Sequence, residues 1–201
     1  MTGHGVDEDK RATLRRFAAL GAATPLAGLL ETGSSTEPNV REAIMGYLVA
    51  TPGAHFSKIR DDLQLGTGET QHHLRKLVDA AAIESHRDGD YRRFYPSNRF
   101  DAFEQVALGY LRRSTPRGMV LALLREPGLT GSELAARLGV SPPTISKYAT
   151  ELQAAGLLST DGGYALKNPE TLVVLIVRYA DSFDADTVAF AAEAADLISV
   201  Q

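Results

Sequence analysis

The side chains able to do chemistry cluster in two stretches, and neither has the makings of a catalytic centre. Four of the five histidines, His55, His72, His73 and His86, lie close together in the chain and raise the question of a metal. His72 and His73 are consecutive, however, and neighbours on a helix point about 100° apart. Cysteine is absent, which removes thiolate ligands and disulfides and fits a reducing, cytoplasmic setting. No metal and no cofactor are expected. Gly66-Thr67-Gly68 and Ser141-Pro142-Pro143 read as turn chemistry, and the chain carries no phosphate loop, nucleophile elbow or pair of carboxylates set for acid–base work. The expectation is a protein that is not an enzyme. What the two stretches offer instead is rows of hydrogen-bonding and cationic groups. One comprises Thr67, Gln71, His72, Arg75 and Lys76, with Glu69 among them; the other comprises Pro143, Thr144, Ser146, Lys147 and Thr150.

The elements that must position these rows follow one plan twice: helix, loop, helix, tight turn, helix, hairpin. The first copy spans 40–95. Its opening helix over 40–50 puts Ile44, Tyr47 and Leu48 on one face and stops before Thr51-Pro52-Gly53. A second helix over 56–63 buries Phe56, Ile59 and Leu63. After a turn at 65–68, a third helix to about Ala82 buries Thr70, Leu74, Leu77 and Val78. Residues 83–95 then read as a hairpin turning at Asp88-Gly89, with His86, Arg87, Arg92 and Arg93 beside Asp88 and Asp90. Tyr91, Phe94 and Tyr95 are expected to pack this hairpin.

The second copy spans 116–166. Pro116 suits a first helical turn, followed by helices over 117–125, 132–138 and 142–155. Ser141 is the expected N-cap of the last, and Ile145, Ala149 and Leu152 its inner face. A shorter hairpin turns around Asp161-Gly162-Gly163 and carries no arginine. A helix over 98–113, with Phe103, Val106, Ala107 and Tyr110 on one side, joins the copies. Two further helices follow, 169–180, apolar all round at Leu172–Val177, and 184–199, rich in alanine.

Near the N-terminus, Arg15 and Arg16 precede a 14-residue apolar run, Phe17–Leu30. Such a run is short of the roughly 20 residues that a span requires. A helix from Ala12 to about Ala23, docked on the first copy or on a second subunit, is the favoured reading over an export signal or anchor. Residues 31–39 make a polar linker. The net charge of −4 gives nucleic acid no general attraction, but it is unevenly spread. Residues 110–167 hold seven basic and four acidic side chains, whereas 168–201 hold one and six.

Residues 52–78 (PGAHFSKIRDDLQLGTGETQHHLRKLV) resemble the helix-turn-helix of archaeal winged-helix regulators related to the ArsR and MarR groups, and 128–158 (GLTGSELAARLGVSPPTISKYATELQAAGLL) resemble another member of that superfamily. The resemblance implies a mainly α fold with small β-hairpin wings. Its two tandem winged units are expected at 39–97 and 116–167, a connecting helix at 98–115, an N-terminal helix and linker at 1–38, and C-terminal helices at 168–201. It also implies sequence-specific binding of double-stranded DNA by a transcriptional regulator. The third helix of the first unit would enter the major groove. There Gln71 would read adenine, Thr67 and His72 would meet base edges or phosphate, and Arg75 and Lys76 would hold the backbone. Arg87, Arg92 and Arg93 of the wing would face the minor groove. Pro143, Ser146, Lys147 and Thr150 are the corresponding face of the second unit. Arg112, Arg113 and Arg117 form a basic knot within reach of phosphate, and the C-terminal helices are the expected homodimer contact. The rival reading is a tandem winged-helix scaffold that binds protein, favoured by the acidic balance and the bare second wing.

Overall fold

A computed structural model describes residues 12–17 and 40–199 of the chain. The apolar run from Ala18 to Leu30 and the linker at 31–39 lie outside the described residues. The chain divides after Phe100 into two compact units.

The first unit begins with a helical segment at 12–17 (α1), whose Leu14 is 4% exposed in the core. Phe17 meets the Tyr47 ring edge-on, with centroids 5.2 Å apart. Helix α2, Val40–Ala50, is the most buried element; Ala43 to Leu48 are all inside. A two-residue strand, β1 (Ala54–His55), leads into α3 (Phe56–Asp62), which is followed by α4 (Thr67–Asp79). Strands β2 (Ile83–Asp88) and β3 (Tyr91–Pro96) close the unit as an antiparallel hairpin. Strand β1 joins the free edge of β3, Ala54 opposite Phe94, so the sheet order is β1-β3-β2. That third strand was not legible in the sequence, because two residues are too few to show alternation.

The hairpin turns one residue later than expected. Asp88 still pairs with Tyr91, and the loop is Gly89-Asp90, with Gly89 at φ +58°. The tight turn between α3 and α4 differs more. Gly66 is extended and serves as the N-cap of α4, while the left-handed residue is Gln64 at φ +54°. Leu63 and Leu65 on either side of Gln64 are buried, and their anchoring holds a non-glycine residue in that conformation.

The second unit opens with α5 (Ala102–Leu111), which is shorter than the expected strut and capped by Asp101 and Glu104 reciprocally. Its buried face is Ala107, Leu108 and Leu111; Phe103, Val106 and Tyr110 remain partly exposed. Helix α6 (Ser114–Arg125) starts two residues ahead of Pro116, which occupies the third position of the first turn. Helix α7 (Gly131–Leu138) is capped by the Thr130–Glu133 pair. Gly139 at φ +63° ends α7, and α8 (Pro142–Ala154) follows, with the Ser141 hydroxyl accepting from the Thr144 N–H. A Cβ on Gly118 would lie 2.8 Å from Leu138, so the absence of a side chain there lets α6 approach α7. Strands β4 (Leu158–Ser159) and β5 (Ala165–Leu166) form a stub of a hairpin.

Helix α9 (Pro169–Tyr179), a 3₁₀ turn at Ala180–Ser182 and α10 (Ala185–Ser199) complete the unit. Leu172, Leu175, Ile176 and Tyr179 of α9 are buried, and α9 packs on α5 and α10. Helix α9 thus spends most of its apolar surface on its own unit, as does Phe190 of α10; among the large apolar side chains described on these helices, Val174 and Val188 are exposed.

Candidate nucleic-acid interface

Helix α4 separates its two faces cleanly. Thr70, Leu74 and Leu77 are buried against α2 and α3, which anchors the helix, and the Thr70 hydroxyl also donates to the Gly66 carbonyl at 2.9 Å. Thr67, Gln71 and Arg75 fall at intervals of four, with His72 and Lys76 in the adjacent row, and all five are exposed. Among the described residues, none of the side chains of Thr67, Gln71, Arg75 and Lys76 makes a hydrogen bond or ion pair. Glu69 is committed instead: its carboxylate accepts the Gly66 N–H at 3.1 Å and caps the helix. The repulsion from phosphate that a carboxylate in this row implies is thereby reduced.

The wing divides its arginines. Arg87 is exposed near the turn, where its Nε donates to the Gly89 carbonyl at 3.3 Å. Arg92 is exposed, held by a 2.8 Å hydrogen bond to Ser85 Oγ and lying 5.5 Å from the Phe94 ring centre. Arg93 is 2% exposed. Its guanidinium pairs with Asp88 and donates to the Gly53 carbonyl at 3.0 Å, tying the hairpin to the turn before β1. The expected groove contact by Arg93 is thus corrected, since both ends of its fork are already engaged inside the unit. Strand alternation turns one of two adjacent arginines inward, a signal that was present in the sequence. Phe94 and Tyr95 pack the hairpin as expected. Tyr91 does not: it is half exposed, its ring centre 4.9 Å from that of His55.

His55 also caps α3, its Nδ1 accepting the Lys58 N–H at 3.3 Å. Burial, with Arg93 and Lys58 adding to it, pushes the His55 imidazole below its ordinary pKa. Burial does the same to His73, with the neighbouring His72 contributing. No cluster of three potential metal ligands occurs among the described residues.

Between α4 and the wing lies a groove of about 580 Å³, lined by Phe56, Leu74, Val78 and Phe94 and edged by Thr67, Gln71, Arg75, Asp79 and Arg92. Sequence reasoning missed it, because it depends on how the hairpin, α3 and α4 are brought together.

In the second unit Pro143, Ser146, Lys147 and Thr150 are all exposed on α8, while Ile145, Ala149 and Leu152 are buried. Here the polar groups are partly spent. Ser146 Oγ donates to the Pro142 carbonyl, Thr150 Oγ1 to the Ser146 carbonyl, and Lys147 Nζ lies 3.8 Å from Glu151. The tip of the β4–β5 hairpin presents Asp161 and two glycines, with no cation. The supposed basic knot is internal. Arg112 donates to Ser182 and lies 4.3 Å from the Phe183 ring centre, Arg113 pairs with Glu151, and the buried Arg117 binds Asp184 and the Leu111 carbonyl. These arginines fasten α5 and α6 to the rest of their unit and are not presented to phosphate.

Three helices and a hairpin, with an exposed polar face on the third helix, define a winged helix-turn-helix, and the chain has two. Residues 38–108 match the model of an N-terminal HTH domain, and residues 118–163 match that of the MarR family. No curated protein and no solved structure matches the chain. Together the two matches support a DNA-binding transcriptional regulator of the winged helix-turn-helix type. No helix among the described residues is long and apolar enough to cross a membrane.

Proposed function

We propose that the first unit binds double-stranded DNA sequence-specifically, with α4 in the major groove and the wing beside it. The observation that carries this reading is the row Thr67, Gln71, Arg75 and Lys76, four exposed polar side chains with no internal partner on a helix whose other face is locked in the core. Gln71 offers the donor and acceptor that adenine pairs with, and Thr67 and His72 add single hydrogen bonds. Arg75 and Lys76 hold the backbone, and Arg87 and Arg92 extend the contact to the next groove. Selection of bound sequences from a random DNA pool at physiological salt tests the proposal; a pool that stays random overturns it.

The second unit contributes less, through Pro143, Ser146, Lys147 and Thr150, because its wing tip is acidic and its hydroxyls bond back along the helix. That same bareness favours the alternative in which this unit binds protein. A homodimer joined through α9 and α10 would supply the extra buried surface, since specific complexes bury about 1,000–2,500 Å². Occupancy of a promoter by such a dimer would regulate the adjoining gene.

A further inference from the structure

We infer that the second unit takes an extended, apolar segment of another protein as an added strand on the open edge of β5, with a basic residue of that segment at Asp161. This rests on the reading in which the second unit binds protein, and not on DNA binding by the first. The sheets of the two units differ by one strand: the first has the order β1-β3-β2, the second only β4-β5. What the second unit lacks is the counterpart of β1, which covers the outer edge of β3 in the first.

The two units match residue by residue around this place. The Lys167 N–H donates to the Leu157 carbonyl as the Ser97 N–H does to that of Ala82. Counting back, Tyr164 stands where Phe94 does, and Gly163 where Arg93 does. Likewise Pro127-Gly128-Leu129-Thr130 stands where Pro52-Gly53-Ala54-His55 does. Each run ends in the N-cap of the next helix, and Gly53 and Gly128 both have positive φ, +78° and +89°. In the first unit the Gly53 N–H donates to the Phe94 carbonyl at 2.9 Å, and Arg93 holds the Gly53 carbonyl. In the second, glycine replaces that arginine, and no backbone bond joins Gly128 to Tyr164 among the described residues. Strand alternation turns the backbone groups of Tyr164 and Leu166 away from β4, where they meet no backbone partner among the described residues. An edge left open in this way is a template for another chain.

A groove of about 390 Å³ lies between the Pro127-Gly128 loop and the β4–β5 hairpin. Leu124, Pro127, Tyr164, Leu166 and Pro169 line it, so it accepts apolar side chains. Its one charged lining residue is Asp161 at the hairpin tip, which accepts from Ser159 Oγ at 3.4 Å and has no cation partner among the described residues. Strand β1 runs antiparallel to β3 and toward the tip, Ala54 opposite Phe94 and then His55 opposite Arg93. A segment in the corresponding place brings its C-terminal end to Asp161, where a lysine or arginine meets the carboxylate. A compact organic molecule would fill the groove and leave the edge unpaired; an extended peptide uses both.

The test titrates the peptide acetyl-Val-Thr-Val-Ser-Val-Lys-amide into the full chain by calorimetry, without DNA. Saturable binding with a Kd below about 1 mM is expected. The valines fix the face of the peptide and the lysine its direction, so one edge alone can meet β5. Methylating alternate amide nitrogens should therefore abolish binding in one of the two patterns and leave it within about threefold in the other. Glutamate in place of the lysine should weaken binding at least about threefold, and Asp161→Lys should reverse that preference. Leu166→Pro removes an outward N–H and puts in β5 the residue that β3 carries at the matching position, Pro96. It should weaken binding at least about fivefold, with thermal unfolding showing that the chain is folded. Asp161, at the exposed tip, gives a result even if the proline variant does not fold. No saturation, or an equal effect of the two methylation patterns, overturns the added strand. Binding that ignores the pattern and both variants leaves the unit a protein binder through another surface, and likewise overturns it. If Leu166→Pro lowers the mass of the chain alone in light scattering, the edge belongs to a second copy and the proposal is overturned.

Discussion

Arg93 faces Asp88 across the first hairpin, with 2.5 Å between Nε and Oδ2, and its Nη1 donates to the carbonyl of Gly53, forty residues earlier in the chain. One side chain thus joins both strands of the wing to the turn that precedes β1. The wing is braced at its base, and its orientation relative to α4 depends on this arginine.

Arg92 and Arg93 should accordingly give opposite phenotypes. Arg93→Ala takes the guanidinium away from Asp88, whose side chain is 12% exposed, and from the Gly53 carbonyl, and breaking a buried pair in this way costs about 3–5 kcal/mol. Urea denaturation measures that loss. Arg92→Ala should leave stability within about 0.5 kcal/mol of the parent. It should instead flatten the dependence of log affinity on log salt by about 0.9, the contribution of one neutralised phosphate. A stable Arg93→Ala protein would contradict the brace.

Gln71→Ala should cost about 1–3 kcal/mol at one base position and leave the salt slope unchanged, because an amide reads a base edge without displacing counterions. Binding assays on every single-base variant of the selected site resolve the two effects. If Lys147 or Thr150 changes abolish binding while Gln71→Ala is silent, the reading head is in the second unit.

Asp184 predicts an acid-labile contact in the second unit. Burial acts to raise its pKa, but hydrogen bonds from Arg117 and Thr187 outweigh that and hold it at about 2, below the ordinary 3.8. A carboxylate with a depressed folded-state pKa stabilises the fold above its unfolded value, and the contribution disappears as the pH falls from 3.8 to about 2. Asp184→Asn should therefore be less stable than the parent at neutral pH, with the difference closing across that window. A gap that persists unchanged at pH 2 would assign the loss to packing.

The homodimer is tested at Val174 and Val188, which are 58% and 43% exposed. Glutamate at both positions should reduce the mass measured by light scattering to one subunit at micromolar concentration, with the melting temperature of the unit retained. Removing 169–201 would not be a clean test, because Leu172, Leu175, Ile176 and Tyr179 belong to the unit's own core. A parent chain that is already a monomer overturns the dimer.

Much of the architecture follows from local chemistry alone. The period of Thr70, Leu74 and Leu77 against Gln71 and Arg75 sorts α4 into a buried and an open face, and Ser141-Pro142 starts α8, because helical spacing and capping depend only on near neighbours in the chain. The repeat of helix, turn, helix and hairpin is legible for the same reason. What sequence could not decide is which charges are spent. Arg93, Arg112, Arg113 and Arg117 read as available cations until Gly53, Ser182, Glu151 and Asp184 are brought beside them, from 38 to 70 residues away along the chain. The left-handed Gln64, the strand β1 and the groove under Arg92 likewise exist only once distant segments pack. Hydrogen bonds between segments far apart in the chain leave no periodic trace in it, so the free cations of α4 and the wing could be told from the committed ones only in three dimensions.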